Sequence, residues 1–140
     1  MTRIDFYRNC ADKVRVACRL ATKAYDGGKP LVVYAPDRAT LSRFDHDLWA
    51  FQQTRFVPHC FAESPLAKET PIILATSGEA LPHHDVLLNL GDEWPPFFAS
   101  FERLLEIVSL DDTDRERARA RWTFYKSRGY DLKVHDLEAA

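Results

Sequence analysis

Arginines stand at 115, 117, 119, 121 and 128, and with Lys126 they surround Trp122, Phe124, Tyr125 and Tyr130. Guanidinium groups take carboxylates or phosphates through paired hydrogen bonds. Aromatic rings beside them take an apolar group or a nucleobase. The segment can therefore grip an acidic peptide or a nucleic acid, or serve as a solvated basic face. On a helical wheel at ~100° per residue, Arg115, Arg119, Trp122 and Lys126 share one side. Arg117, Arg121 and Arg128 form a second basic stripe with Phe124 nearby. Ala118 and Tyr125 fall between the stripes, where they can anchor the helix on a core. From Arg115 to Arg128 only Glu116 balances the arginines. Like charges four residues apart, Arg115 with Arg119 and Arg117 with Arg121, repel by about 0.2–0.5 kcal/mol per pair, and an anionic partner relieves that repulsion. A tryptophan among arginines suits a peptide that carries a carboxylate and an apolar end.

Other groupings carry less. His83-His84-Asp85 contains metal-ligating residue types, but adjacent side chains diverge and no second ligand pair stands at zinc-site spacing. A polar loop leading into a strand is the simpler reading. His59 lies beside Cys60, whereas nucleophile–base pairs are usually assembled from distant segments, so a structural or interface histidine is expected. Asp111, Asp112 and Asp114 are explained by helix capping and the helix dipole. No Gly-x-Ser-x-Gly elbow or Cys-x-x-Cys pair is present.

The elements that must position these residues follow from periodicity. Ile4 to Tyr7 reads as a short strand, and Val14, Ala17, Cys18, Ala21 and Tyr25 recur at helical spacing. Gly27-Gly28 ends that helix. Pro30 to Ala35, Pro71 to Ala75, Asp85 to Leu90 and Glu106 to Leu110 are apolar runs of strand length. Asp37 begins a helix with Leu41, Phe44, Leu48 and Trp49 on one side. Phe56 to His59 is extended and, with its proline, confined to an edge or loop. Glu63 to Thr70 is loop-like. Pro95-Pro96 starts a helix carrying Phe97, Phe98, Phe101 and Leu105. Asp111, Asp112 or Thr113 caps the final helix, Gly129 ends it, and Tyr130 to Leu137 is a tail. Alternating strands and helices predict an α/β fold, a single domain over residues 1–140 with helices flanking a mainly parallel sheet.

This topology invites a nucleotide, but the phosphate grip needs glycines between the first strand and its helix. That turn is Arg8-Asn9-Cys10-Ala11-Asp12, and the Gly27-Gly28 pair sits at the wrong end of the helix. With 19 basic against 21 acidic residues the net charge is −2, which argues against coating DNA directly but leaves room for a local basic patch. Three widely spaced cysteines imply neither a disulfide framework nor a zinc knuckle, and fit a reducing compartment. No apolar run approaches the ~20 residues that span a bilayer, so the expected location is cytoplasmic.

A second surface is suggested by residues 45–60, DHDLWAFQQTRFVPHC. Leu48, Trp49, Phe51, Phe56, Val57 and Pro58 supply more bulk than one helix end and a short extended piece readily bury. Either the aromatics form a protein interface, or Leu48, Phe51 and Val57 are core and the others cover it.

Taken in order, these features resemble one family. They comprise Asp5-Phe6-Tyr7, Ala17-Cys18-Arg19-Leu20-Ala21, Leu48-Trp49, Phe56-Val57-Pro58-His59, and Asp85 through Leu90. Pro96-Phe97-Phe98, Phe101-Glu102-Arg103 and the Arg-Ala-Arg-Trp-x-x-Tyr-Lys-x-x-Gly-Tyr-x-Leu ending complete the set. The chain resembles the chi subunits of bacterial DNA polymerase III, accessory proteins of the clamp-loader assembly. Each piece alone is weak; together, nearly end to end, they are specific.

The resemblance implies a nucleotide-binding-like fold without a nucleotide or other cofactor, no catalysis of its own, and a role in DNA replication. It implies an adaptor that links the polymerase's clamp loader to single-stranded DNA-binding protein. The adaptor binds that protein's acidic tail, which ends in phenylalanine, and so meets DNA only indirectly, in the nucleoid-associated replisome. Carried over by position, the tail pocket falls on Val108, Arg115, Arg119, Trp122 and Thr123, with Lys126 on the same wheel face. Trp122 stands where relatives can carry tyrosine and Thr123 where they can carry lysine, so the pocket is expected to be less basic on that side. The second surface binds the psi subunit, another clamp-loader subunit or a repair helicase, through Trp49 and Phe56 with Pro58 and His59 alongside. A different reading is a direct single-stranded nucleic-acid binder that stacks bases on Trp122 and Tyr125; it needs a long basic groove, which the net charge makes hard to build.

Overall fold

In the computed structural model, which describes residues 1–51 and 56–137, seven strands form one sheet in the order β3-β4-β2-β5-β6-β1-β7, every neighbouring pair parallel. The strands are β1 (Arg3–Cys10), β2 (Leu31–Tyr34), β3 (His59–Phe61), β4 (Ile72–Ala75), β5 (Val86–Asn89), β6 (Arg103–Ser109) and β7 (Leu132–Asp136). The helices are α1 (Lys13–Asp26), α2 (Arg38–Phe51) and α3 (Asp112–Ser127). β2, β4 and β5 are buried along their whole length, as continuous apolar runs in a parallel sheet demand.

Side chains alternate across the sheet, which sorts the core into two layers. α1 and α2 cover one face, packing Ala17, Cys18, Leu41 and Phe44 against Leu31, Val33, Leu74 and Leu88. α3 and two short 3-10 turns cover the other, where Tyr125 and Phe98 meet Phe6, Val32, Leu87 and Leu104. α1 begins at Asp12, whose side chain accepts from the N–H groups of Val14 and Arg15. It closes at Gly27, with Gly28 at φ 70° in the left-handed region that glycine tolerates.

Three expectations need correction. Pro95-Pro96 starts no α-helix: only Phe98–Ser100 makes a 3-10 turn, and Leu105 belongs to β6, whose ladders to β1 and β5 claim the chain from Arg103 onward. The segment after Gly129 is no free tail, because Leu132 to Asp136 pairs with β1 as the edge strand β7. Trp49 does not share the core side of α2: Leu41, Phe44 and Leu48 are buried, while Trp49, about 100° round the helix from Leu48, is exposed. Glu63 to Thr70 is the expected loop, with a 3-10 turn at Ala67–Glu69.

Candidate functional site

α3 is fixed at both its start and its middle. Asp111 caps it, accepting from the Asp114 N–H at 2.9 Å. The Asp114 carboxylate accepts from the Ser109 N–H at 2.8 Å and from Lys13 Nζ at 2.9 Å, tying the first turn of α3 to β6 and α1. Burial works to raise the Asp114 pKa, but the Ser109 N–H and Lys13 outweigh it and hold the carboxyl below its ordinary value. Midway, Ala118, Arg121 and Tyr125 face the sheet. Arg121 Nε donates to Glu106 Oε1 at 3.0 Å, Tyr125 Oη donates to Glu106 Oε2 at 2.6 Å, and Asn89 Nδ2 donates to the same carboxylate at 3.1 Å. Glu106 is wholly buried; burial pushes its carboxyl upward, against the pull of Arg121, Tyr125 and Asn89.

These bonds divide the arginines of α3 into two sets. Arg121 is no part of a solvent-facing basic stripe: it is 1% exposed and bound to Glu106 and to the Asp92 carbonyl, the latter through Nη1 at 2.7 Å. Arg117 pairs with Asp92 at 2.8 Å, and Arg128 lies over the Phe124 ring at 5.1 Å. Arg115 and Arg119 are exposed, and among the described residues their guanidinium groups have neither a hydrogen bond nor an ion pair.

Both free arginines line a cleft of about 360 Å³ between α3 and the strands β6, β1 and β7. Its floor is apolar: Phe6, Val108, Ala118, Trp122 and Val134. Trp122 is held edge-on against Phe6, with ring centroids 5.2 Å apart. Lys126 Nζ stands 5.9 Å from the centroid of the Trp122 ring without lining the cleft. Thr123 is exposed and outside it. The structure thus gathers Val108, Arg115, Arg119 and Trp122, places Lys126 behind the tryptophan, and leaves Thr123 apart. Sequence reasoning missed Phe6, Arg8, Asn9 and Val134. The period-2 alternation of Phe6 and Arg8 in β1 was a readable signal for two of them, but β7 was not recognised as a strand.

A larger cavity, about 610 Å³, opens on the other flank of α3 at the carboxyl ends of β2 and β5, where ligands of α/β sheets often sit. Asp37, Asp92 and Glu93 contribute to its lining. The two cavities differ in chemistry: the smaller one combines free guanidinium groups with an apolar floor, and we take it as the candidate site on that ground.

The second candidate surface sits at the end of α2 and the start of β3. Trp49 is 57% and Phe56 52% exposed, their ring centroids 4.8 Å apart. His59 packs edge-on to Trp49 at 5.1 Å. Its ring nitrogens lie 2.7 Å from the Val57 carbonyl and 2.8 Å from Asp45, bonds that fix the imidazole between α2 and the start of β3. Pro58 is half-buried beside it, and Leu48 and Val57 are core. Residues 52–55 of this stretch lie outside the described residues. Of the other sequence candidates, His84 packs on the Phe101 ring at 5.0 Å, and the neighbouring His83 is held below its ordinary pKa mainly by burial.

Comparison with known proteins places the chain in a family. The sequence pattern of the family described as DNA polymerase III chi subunit, HolC, matches residues 1–133. The chain belongs to this chi family. A DNA polymerase III subunit chi from Pseudomonas aeruginosa is 37% identical to it over 141 aligned residues, covering 98% of each chain. One from Haemophilus influenzae is 30% identical over 92% of this chain and 91% of the relative. One from Escherichia coli is 25% identical over 86% and 82%. The chi family match therefore spans the elements that build both candidate surfaces, from β1 through the start of β7. Among the described residues, no helix is long and apolar enough to cross a membrane.

Proposed function

We propose that the chain is a non-catalytic adaptor of the DNA polymerase III holoenzyme. The cleft beside α3 takes the acidic C-terminal tail of single-stranded DNA-binding protein, and the Trp49/Phe56 corner docks on the psi subunit or another clamp-loader subunit, or on a repair helicase in its place. The observation that carries this reading is the meeting of two guanidinium groups, Arg115 and Arg119, unpaired among the described residues, with the apolar floor of one cleft. A tail with a terminal phenylalanine presents the complementary pair: carboxylates for the guanidinium forks and a phenyl ring for the floor of Phe6, Val108 and Trp122. Ionic and apolar terms then separate experimentally, since salt screens the first and not the second.

The corner is the complementary case. Two large rings more than half exposed and in mutual contact form an apolar patch of the kind that interfaces bury. The nucleic-acid alternative loses one of its two stacking platforms, because Tyr125 is fully buried with its hydroxyl on Glu106.

A pull-down tests the adaptor reading. Immobilised protein should capture intact single-stranded DNA-binding protein and lose it when that partner lacks its last few residues. Equal capture of both forms would refute the tail reading. Binding of a bare oligonucleotide at micromolar concentration and physiological salt would replace it with direct nucleic-acid binding.

A further inference from the structure

The strand side of the same cleft carries a second cationic wall. In β1, Tyr7 pairs with Ile107 and Cys10 with Ser109, so Arg8 and Asn9 together stand opposite the single residue Val108. This irregularity puts Asn9 at φ 64°, a left-handed conformation that asparagine tolerates better than most residues. Arg8 falls on the same strand face as Phe6, and both line the cleft with Asn9.

Across the strand pair, Arg8 is in register with Asp136 of β7. The Asp136 carboxylate accepts from Arg8 Nη2 at 3.2 Å and from Asn9 Nδ2 at 2.8 Å. The wall therefore already holds one carboxylate, one that belongs to the chain itself. The Arg8–Asp136 ion pair is open to solvent, with side chains 55% and 33% exposed, and such pairs contribute little. Among the described residues no carboxylate lines the cleft, while Arg8, Arg115 and Arg119 all do.

We propose that Arg8 and Asn9 form a second carboxylate subsite, which binds an acidic side chain of the peptide upstream of its terminal residue and takes it in exchange for Asp136. The inference rests on the tail-binding reading. It assigns the terminal carboxylate and ring to the helix wall and the apolar floor, and an internal aspartate or glutamate to the strand wall. Asp136 is then a built-in competitor for the upstream acidic side chain at Arg8 and Asn9.

The test is calorimetry with two synthetic peptides, each ending in phenylalanine: one with two upstream aspartates, the other with both replaced by asparagine. Arg8→Ala should weaken the aspartate peptide by about threefold to tenfold, the lower range for a charge-assisted hydrogen bond at a partly exposed site. It should leave the asparagine peptide unchanged. Asp136→Asn should tighten the aspartate peptide and not the other. If Arg8→Ala weakens both peptides alike, or neither, while Arg119→Ala still weakens both, the subsite is refuted and the tail reading stands. If Arg119→Ala also has no effect on either, the tail reading falls and the subsite with it. Circular dichroism of each variant keeps misfolding apart from lost binding.

Discussion

Arg121 offers a sharp test of how α3 is held. Its side chain is 1% exposed and its partner Glu106 is 0% exposed. Removing one member of a buried pair costs about 3–5 kcal/mol, because the other charge stays buried and unpaired. In Arg121→Met, Glu106 keeps the Tyr125 hydroxyl and the Asn89 amide, so the lower end, about 3 kcal/mol at neutral pH, is expected. The sign of the pH dependence follows from Glu106. Burial already pushes its carboxyl above the usual range, and Arg121 is the largest force restraining that rise. Without the guanidinium the folded-state pKa climbs further. A carboxyl whose pKa is raised on folding gives stability that is fully present below its unfolded value and lost as pH rises through the folded one. The variant should therefore lose more stability relative to the parent near pH 8 than near pH 5. Urea unfolding at both pH values measures this. Arg121→Met combined with Glu106→Leu removes both charges, and should recover much of the loss, as buried pairs replaced by apolar residues commonly do. Equal losses at the two pH values, or a single-variant cost below about 1 kcal/mol, would show that Glu106 is not an unpaired buried charge in the variant.

Three further outcomes are expected. Arg119→Ala should weaken tail-peptide binding by roughly 1–3 kcal/mol with unchanged unfolding stability, read by calorimetry and by urea melts; unchanged affinity would remove Arg119 from the site. Trp49→Ala should shift stability by no more than about 1 kcal/mol, given its exposure, while abolishing co-purification of the second partner; retained co-purification would clear the corner of that role. Asp114→Asn should cost about 1–2 kcal/mol near neutral pH through the lost Lys13 and Ser109 bonds. Its carboxyl is held low in the folded protein, so the stability it gives is present above the unfolded pKa and lost as pH falls through the folded one. The gap to the parent should close in acid-denaturation curves.

Legibility in the sequence followed burial. β2, β4 and β5 are buried on both faces, and a run such as Leu31 to Tyr34 can be read directly as a strand. β7 escaped notice because it is an edge: among the described residues it pairs with β1 alone, and Lys133, His135 and Asp136 make it look like a polar tail. Pro95-Pro96 followed by Phe97, Phe98 and Phe101 fits a helix start, yet β6 pairs on both sides from Arg103, and sheet register overrode local preference. The misreading of Arg121 has its counterpart in β6. A glutamate between Leu105 and Ile107 in a core strand has to find a cation or a set of donors, and the next helix offers arginines at 115, 117, 119 and 121. The wheel brought Arg115, Arg119 and Trp122 together because all three lie on one element. The strand wall, Arg8 with Val134, depends on β1 and β7 being neighbours, a contact that no local pattern encodes.

The two candidate surfaces stand at opposite edges of the sheet and on opposite faces. The Trp49/Phe56 corner belongs to α2 and β3, first in the strand order, while the cleft belongs to α3 with β6, β1 and β7, last in it. From β3 to β1 there are five strand intervals of about 4.8 Å, roughly 24 Å. No residue is common to both surfaces, and between them lie β4, β2 and β5, whose side chains are buried along their length. A packed parallel sheet resists continuous deformation, so neither partner needs to disturb the other's site. On the proposed reading, then, affinity for the tail and affinity for the assembly combine without coupling. On the same reading the protein is a spacer whose two ends differ in chemistry, one joining salt-sensitive guanidinium groups to an apolar floor, the other aromatic and salt-resistant.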